Sequence, residues 1–377
     1  MAIHFLNSNL TKQKRICQSD GPWLISETGE RLFDVWLGSG TLILGHPRVG
    51  DTTTDPKIDM LPYGPVMTEE FDLLLANTVS FQIGAVGFQT SGSSAISRAC
   101  RYARAATGRK KIAVFSSFWH GSEDEFLFKD NKMQISTGLS PEVFDRVGYF
   151  KNIDEFFNED LDQYAAVLIE PYQGSQPDIA LPKFFTVDKR NLLRKRGVLI
   201  IADEVITGFR ECYGSCSAAR SVNPDIVVFG KAAALGFPVG IVVVSKMVTD
   251  QCEQQPFWGG TFSASPTQIE RVWDSLRKLS TFEFSTLKIN HQSIVDYLSS
   301  GLETFEELKY LKLIKGELFS RIVLKSDSVV SARGFIGKSH SGLTAIQEAL
   351  LRLNVFVGSN GLIFSSTHNL TEMMRLR

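Results

Sequence analysis

Apolar residues fall in two rhythms along this chain. Between about residues 68 and 246, short apolar runs rich in β-branched residues alternate with longer mixed stretches. The runs are too short for buried helices and read as strands covered on both faces. They predict strands at 85–89, 111–116, 165–170, 198–202, 225–229 and 239–244. Between them apolar residues recur at helical spacing. Phe71, Leu74, Leu75 and Val79 share one face of a helix expected over 68–80, and another is expected over about 94–107. Helix and strand in alternation predict an α/β fold on a mainly parallel sheet. After about residue 264 the texture changes to amphipathic helices near 265–280 and 288–306, with short strands near 318–323 and 355–364. A turn at 27–30 before Arg31-Leu32-Phe33-Asp34-Val35-Trp36 predicts a hairpin. The expected organisation is a large domain over 46–255 and a smaller α+β domain over 256–377. The N-terminal segment 1–45 is expected to join the smaller domain, since short connections to it cost little.

Composition narrows the function classes. Hydrophobic residues make up 43% of the chain and charged residues 21%, ordinary values for a globular protein. A formal net charge of -1 points to neither nucleic acid nor an anionic membrane as partner. Residues 1–10 lack the apolar stretch of a signal peptide, and no run reaches transmembrane length. The cysteines Cys17, Cys100, Cys212, Cys216 and Cys252 are odd in number and scattered, which suits reduced thiols in the cytoplasm. Cys212 and Cys216 are close, but no second pair completes a zinc site, and no metal is expected.

Candidate chemistry gathers where the apolar runs end. In mainly parallel sheets, ligand-binding groups collect at the C-terminal ends of the strands. Asp203 closes one run and Lys231 follows another, after Gly230. A carboxylate and an amine delivered there suit pyridoxal phosphate: the lysine forms the Schiff base and the aspartate pairs with the protonated pyridine nitrogen. Lys231 could instead be a surface lysine, as most are. Its neighbours Ala232-Ala233-Ala234-Leu235 are small or apolar, so its pKa is expected to fall. Ser91-Gly92-Ser93-Ser94, between a strand and a helix, could bind a phosphate, although a serine N-cap alone would explain it. Trp119 could stack on a planar cofactor or be core; His120 reads as scaffold more readily than as an acid–base catalyst. Asp203-Glu204 could also be the acidic element of a metal site or a nucleotide hydrolase. The required phosphate loop has a near match at 332–339, with Ala332 in place of the first glycine and on the wrong side of the acids. An exposed basic loop explains that match more simply. Gly259-Gly260-Thr261-Phe262-Ser263 is a helix entry that could also present Thr261 to a phosphate.

The order of these motifs resembles the class III, ornithine-type subgroup of pyridoxal-phosphate-dependent aminotransferases, and within it the glutamate-1-semialdehyde aminomutase branch. The resemblance runs from about residue 24 to 369 and rests on Ile43-Leu44-Gly45-His46, Ser91-Gly92-Ser93-Ser94-Ala95, Trp119-His120-Gly121, Glu170-Pro171, Asp203-Glu204-Val205-Ile206-Thr207-Gly208-Phe209-Arg210, Gly230-Lys231 and Gly259-Gly260-Thr261. It implies the fold type I architecture of that cofactor class. It implies that Lys231 holds the cofactor, that Asp203 pairs with its ring nitrogen, and that Val205 and Trp119 cover its two faces. Gly92 and Ser93 would bind its phosphate, with Thr261 reaching the phosphate of a neighbouring subunit in a homodimer with shared sites. Activity would be amino transfer between a small-molecule amino donor and a carbonyl acceptor; an aminomutase or an epimerase would use the same Lys231 and Asp203. A non-catalytic relative could lose Lys231, Asp203 and Thr261 freely, so their presence argues against one. Departures from the family pattern also stand out. Trp119 replaces a tyrosine, Ser93-Ser94 replaces Thr-Glu, and Ala234 and Leu235 replace glycines. Ser175 replaces a glutamate common in the ornithine and GABA enzymes, which weakens a glutamate/2-oxoglutarate pairing. Ser39 stands where the aminomutase branch has an aromatic, which would reshape the substrate pocket, and the terminal helix is expected to be short.

Overall fold

The computed structural model describes residues 16–26, 28–46, 69–128, 134–172, 185–220, 222–260, 262–304, 311–324, 355–356, 365 and 367–374. The Gln173–Gln176 stretch, Thr261 and the loop-like match at 332–339 lie outside them. In chain order the elements are β1 (Ile16–Asp20), β2 (Trp23–Ser26), β3 (Arg31–Asp34), α1 (Leu37–Gly40), α2 (Glu69–Ala76), β4 (Ile83–Gln89), α3 (Gly92–Thr107), β5 (Lys111–Phe115), β6 (Val147–Phe150), α4 (Ile153–Phe157), β7 (Tyr164–Ile169), α5 (Val187–Lys195), β8 (Leu199–Glu204), α6 (Cys216–Ala219), β9 (Ile226–Gly230), β10 (Gly240–Ser245), α7 (Lys246–Asp250), α8 (Pro266–Ser280), α9 (Ser285–Thr304), β11 (Leu311–Lys315), β12 (Ser320–Leu324), β13 (Val355–Phe356) and α10 (Leu370–Met374).

Seven strands form the main sheet in the order β4-β10-β9-β8-β7-β5-β6. The pairs β6–β5, β5–β7, β7–β8 and β8–β9 are parallel, and β10 alone runs against its neighbours β9 and β4. Strands β7 to β10 are buried along their whole length, which is why they read as unbroken apolar runs. Alternate residues supply two cores. Ile112, Val114, Leu168, Ile201, Val228 and Val242 pack under Ala95, Ile96, Ala99 and Ala103 of α3. On the other face, Val227, Phe229, Ile241 and Val243 meet Ile269, Val272, Leu276 and Leu279 of α8.

Helix α3 begins where Ser91 Oγ accepts from Ser94 N–H at 3.1 Å, and it ends at Gly108 in the left-handed region. Its first turn lies against β10 so closely that a Cβ on Gly240 would fall 2.2 Å from Ser91 O and 2.7 Å from Ala95 Cβ. The absence of a side chain there sets the height of the Ser91-Gly92-Ser93 turn above the sheet.

A second sheet, β1-β2-β3-β13, joins the N-terminal residues to late ones through parallel pairing of β3 with β13. Asp34 knots it together. Its Oδ1 accepts from Trp36 N–H (2.8 Å) and Leu37 N–H (3.0 Å), its Oδ2 meets His46 Nε2 at 2.7 Å, and its carbonyl meets His368 Nε2 at 2.8 Å. The Ile43–His46 motif therefore positions α1, which packs against the segment carrying Lys231.

The expected hairpin is β2–β3, and the six expected strands of the main sheet are present within one or two residues. The helix expected over 68–80 is shorter, ending at Ala76, with Phe71 and Leu75 buried. Strands β1, β6 and β11 were not anticipated, and of the strand expected at 355–364 only Val355–Phe356 lies within the described residues.

The Gly240→Ala variant tests the close approach of α3 to the sheet. The nearest atom is the backbone carbonyl oxygen of Ser91, so something must shift, and overpacking of this kind costs about 1–3 kcal/mol. Urea unfolding should show a loss of about 2 kcal/mol; an unchanged midpoint would mean that the α3 turn is not held at this height.

Candidate active site

Parallel alignment brings the chemistry to one edge. The C-terminal ends of β4, β5, β7, β8 and β9 lead respectively into Ser91–Ser94, Trp119–His120, Glu170, Asp203–Val205 and Lys231. Residues far apart in sequence become neighbours there.

Asp203 is buried at the end of β8. Its Oδ2 lies 2.8 Å from His120 Nδ1, and its Oδ1 accepts from Val205 N–H at 3.1 Å. The histidine fixes the carboxylate's orientation, the scaffold role expected of it. Lys231 opens a short 3-10 turn, Lys231–Ala234, beyond the end of β9. Its backbone is left-handed, with φ +46°, and Leu235 closes the turn at φ +47°. Non-glycine residues enter that region only when their surroundings hold them there; here Ala232, Ala233 and Ala234 are all buried. Burial pushes the Lys231 amine down to about 8, Asp203 opposes the shift, and Arg210 adds to it, while Glu170 acts with Asp203. The expected fall is present, and desolvation dominates it.

Val205 occupies a gap made by two glycines. A Cβ on Gly92 would meet its methyls at 2.8 and 2.9 Å, and one on Gly230 would meet a methyl at 3.2 Å. Gly92 thus seats Val205 as well as opening the helix. Ser93 Oγ accepts from Ser122 N–H at 3.2 Å, tying the α3 turn to the segment after His120. Among the described residues no acceptor meets the N–H groups of Gly92 and Ser93 at the start of this sixteen-residue helix. Half-buried Trp119 donates its backbone N–H to Glu170 Oε2 at 3.4 Å. Thr261 lies outside the described residues, between Gly259-Gly260 and an exposed Phe262.

Glu204 does something different from its neighbour. It is fully buried and accepts from Ser215 Oγ (2.6 Å), Ser217 N–H (2.7 Å), Thr207 Oγ1 (2.8 Å) and Cys216 N–H (3.0 Å). Burial raises its pKa and these bonds oppose the rise. Its role is to pin the chain after β8. The Asp203-Glu204 pair is therefore not a shared acidic site, and among the described residues no group of His, Cys, Asp and Glu is placed to hold a metal ion.

These features fit pyridoxal phosphate. They include a shielded amine of lowered pKa, an oriented carboxylate on the adjacent strand, an apolar side chain at Val205 seated against Gly92 and Gly230, and unused N–H groups at a helix start. Sequence reasoning assigned no role to Arg210, although it quoted the residue; nothing in the sequence marks it as buried.

Comparison with known proteins points to the same cofactor class. The family model "Aminotransferase class-III" matches residues 8–333. Glutamate-1-semialdehyde 2,1-aminomutase from Hyperthermus butylicus is 27% identical over 95% of this chain and 88% of its own length. The enzyme of the same name from Thermoplasma volcanium is 30% identical over 78% and 73%. Among solved structures, an omega-transaminase from Sphaerobacter thermophilus is similar with TM-score 0.76 and 26% identity, covering 96% of this chain and 88% of that one. A glutamate-1-semialdehyde-aminomutase from Pseudomonas aeruginosa PAO1 shares the fold with TM-score 0.78 at 19% identity, covering 96% and 86%.

The lowered amine pKa is open to direct measurement. Reductive methylation of the cofactor-free protein with formaldehyde and cyanoborohydride, followed by peptide mass spectrometry, should give Lys231 a half-maximal rate near pH 8. Below that pH the amine is protonated and slow. Surface lysines should level off near their ordinary value, about 10.4. A Lys231 profile that coincides with theirs would remove the electrostatic argument.

Proposed function

The chain belongs to the class-III aminotransferase family, and from that premise we propose that it is a pyridoxal-phosphate-dependent enzyme that moves an amino group between a small-molecule amino donor and a carbonyl acceptor. The observation that carries this reading is the Lys231 amine, lowered to about 8 and set at a strand end next to the one that bears Asp203. A second reading, an aminomutase that keeps the amino group on one substrate, is supported by relatives that carry that name at 27–30% identity.

In this reading Lys231 holds the cofactor covalently through Nζ. When bound, the cofactor supplies an electron-withdrawing ring that disperses the charge left on a substrate carbon when its proton departs. Asp203, oriented by His120, keeps a proton on the ring nitrogen. Val205 covers one face of the ring and Trp119 the other. Gly92 and Ser93 bind the phosphate with N–H groups at the head of α3, where the helix dipole favours an anion. Once displaced by substrate, Lys231 Nζ takes up and returns the substrate carbon's proton, a task suited to an amine near neutrality.

The active unit in this reading is a homodimer with composite sites. Phe257 (76% exposed) and Phe262 (58% exposed) flank Thr261, and α3 holds the loop through Arg98 Nη2 to Gly259 O and Arg101 Nη1 to Phe257 O, both 3.4 Å. Large exposed aromatics on one loop suit a subunit contact. Thr261 would then reach the partner's phosphate. The division into 1–45, 46–255 and 256–377 belongs to the same proposal, supported by the β3–β13 pairing. So does a cytoplasmic setting, in keeping with free thiols at Cys100, Cys212, Cys216 and Cys252. Nucleic acid and membrane are not proposed as partners; among the described residues no helix is long and apolar enough to cross a membrane.

A donor screen tests the function. Amino compounds should shift the visible absorbance of the cofactor-loaded protein, and a carbonyl acceptor should reverse the shift; substrate conversion with no external donor would favour the aminomutase. Lys231→Ala should abolish turnover while leaving the fold intact, and borohydride should fix the cofactor to Lys231 in the wild type. Labelling of Lys338, or of no lysine, sinks the assignment. Asp203→Asn should cut kcat by orders of magnitude with modest cofactor loss, because a neutral amide cannot hold the ring proton.

The shared site has its own test. Thr261→Val should weaken cofactor retention. Mixing it with Lys231→Ala should create mixed dimers with one intact pocket, made of Lys231 from one chain and Thr261 from the other. If subunits exchange and retention is only the average of the parents, Thr261 does not act across an interface.

A further inference from the structure

Edge strand β4 carries no side chain at Gly87, opposite Val242 of β10. Directly paired residues point to the same face, so the gap opens on the side of the sheet that α3 covers. The indole of Trp258 fills it. A Cβ on Gly87 would fall 2.1 Å from Cε2 and Cζ2 of that ring and 2.5 Å from its Nε1. Tyr102 of α3 lies beside the indole, with ring centroids 6.5 Å apart. Among the described residues no acceptor meets the buried Nε1. A buried N–H without a partner is costly, so packing must hold the ring in place against that cost. Trp258 belongs to the loop that precedes Thr261, and α3 grips this loop with side chains from one helical face, at i, i+3 and i+4. Arg98 Nη2 donates to Gly259 O, Arg101 Nη1 to Phe257 O, and Tyr102 Oη to Gln255 Oε1. These attachments and the seated indole fix the chain from Gln255 to Gly259, two residues short of Thr261.

We propose that Trp258 is a positioning residue for the cofactor of the neighbouring subunit: seated on Gly87 and backed by Arg98, Arg101 and Tyr102, it fixes the loop that presents Thr261 to that subunit's phosphate. This rests on the composite-site reading and gives it a structural cause. Helix α3 then serves both sites of a dimer. Its first turn, with Gly92 and Ser93, faces the phosphate of its own chain, and its following turns hold the loop that serves the other. The loop is ordered when the chain folds, before the cofactor arrives. The phosphate contact therefore does not carry the cost of ordering it, and more of that contact remains as affinity.

The test fills the seat. Gly87→Val places methyl groups where the indole lies and should displace Trp258. Loss of a hydrogen bond to a charged group corresponds to about 10- to 100-fold in affinity, so the variant should lose cofactor faster than the wild type by about that factor. Retention is read by desalting the loaded protein at intervals, reducing with borohydride and weighing the intact chains. Borohydride fixes cofactor only where Lys231 is present. Mixed dimers of Gly87→Val with Lys231→Ala, purified through a different tag on each chain, therefore report on the Gly87→Val chain alone. There the partner supplies an undisturbed loop, and loss should return to the wild-type rate. Damage confined to the variant's own fold would not be repaired by a partner. Wild-type retention in Gly87→Val homodimers, or loss that stays fast in the mixed dimers, overturns the proposal. Should Gly87→Val fail to fold, Trp258→Leu, which leaves β4 intact, takes its place with the same outcomes. The two readings fail separately. If mixed dimers with Lys231→Ala restore retention to Thr261→Val but not to Gly87→Val, the composite site stands and the role of Trp258 ends. If they restore neither, or if no mixed dimer forms, the composite site falls and the Trp258 assignment with it.

Discussion

Asp203 and Lys231 impose opposite demands on one small volume. The carboxylate is buried yet must remain an acceptor, while the amine must give up its proton easily. Adjacent parallel strands meet both demands. Asp203 sits opposite Val228 in the β8–β9 register, and Lys231 follows directly on Gly230, the last residue of β9. The attraction between the two groups favours a charged lysine, yet burial and the positive charge of Arg210 outweigh it and the amine settles at about 8. His120 and the Val205 N–H hold the two carboxylate oxygens in place. Without the parallel sheet none of these residues would meet, since they come from segments that begin near residues 119, 203 and 231.

Close packing and backbone strain surround this pair. Gly92 and Gly230 leave space that Val205 fills, and the bare Gly240 lets the α3 turn settle on the sheet. Leu37, Lys231 and Leu235 all have φ between +46° and +49°. Each such residue costs about 1–3 kcal/mol, a price met only where neighbours allow no alternative. The constraint comes from the buried Ala232–Ala234 turn on one side and from α1, fixed by Asp34 and Arg210, on the other. The departures Ala234 and Leu235 sit inside this strained turn, so a chain that lacks glycine at Leu235 still adopts the left-handed geometry that glycine would reach without strain.

Much of this was legible in the sequence because it rests on local rules. Unbroken apolar runs announced the strands of a sheet covered on both faces, and the C-terminal ends of those strands announced where Asp203 and Lys231 would stand. The fall in the lysine pKa followed from its small apolar neighbours. Long-range contacts were not legible. Nothing local tells that Gly92 makes room for Val205, that His46 serves Asp34, or that Arg210 reaches Gly40. Strands β1, β6 and β11 escaped notice for a local reason: each is only four or five residues long, polar residues break the apolar pattern of β1 and β11, and a glycine interrupts β6. Thr261 shows the other limit, since its expected role needs a second subunit.

The neighbours Asp203 and Glu204 show how a strand end can separate chemistry from architecture. Successive side chains of a strand point to opposite faces. Asp203 therefore turns toward His120 and Lys231, and Glu204 turns the other way into a nest of four donors from Thr207, Ser215, Cys216 and Ser217. Those donors fold the chain after β8 back on itself, with Gly208 N–H bonded to Glu204 O at 2.9 Å and Phe209 N–H to Gly214 O at 2.8 Å. Arg210 stands at the head of that fold, and its guanidinium returns to Ile206 and crosses to Gly40. One buried carboxylate thus sets the position of the only buried guanidinium, among the described residues, whose charge is felt at Lys231. The acid that does no chemistry is the one that braces the turn from which this guanidinium reaches α1.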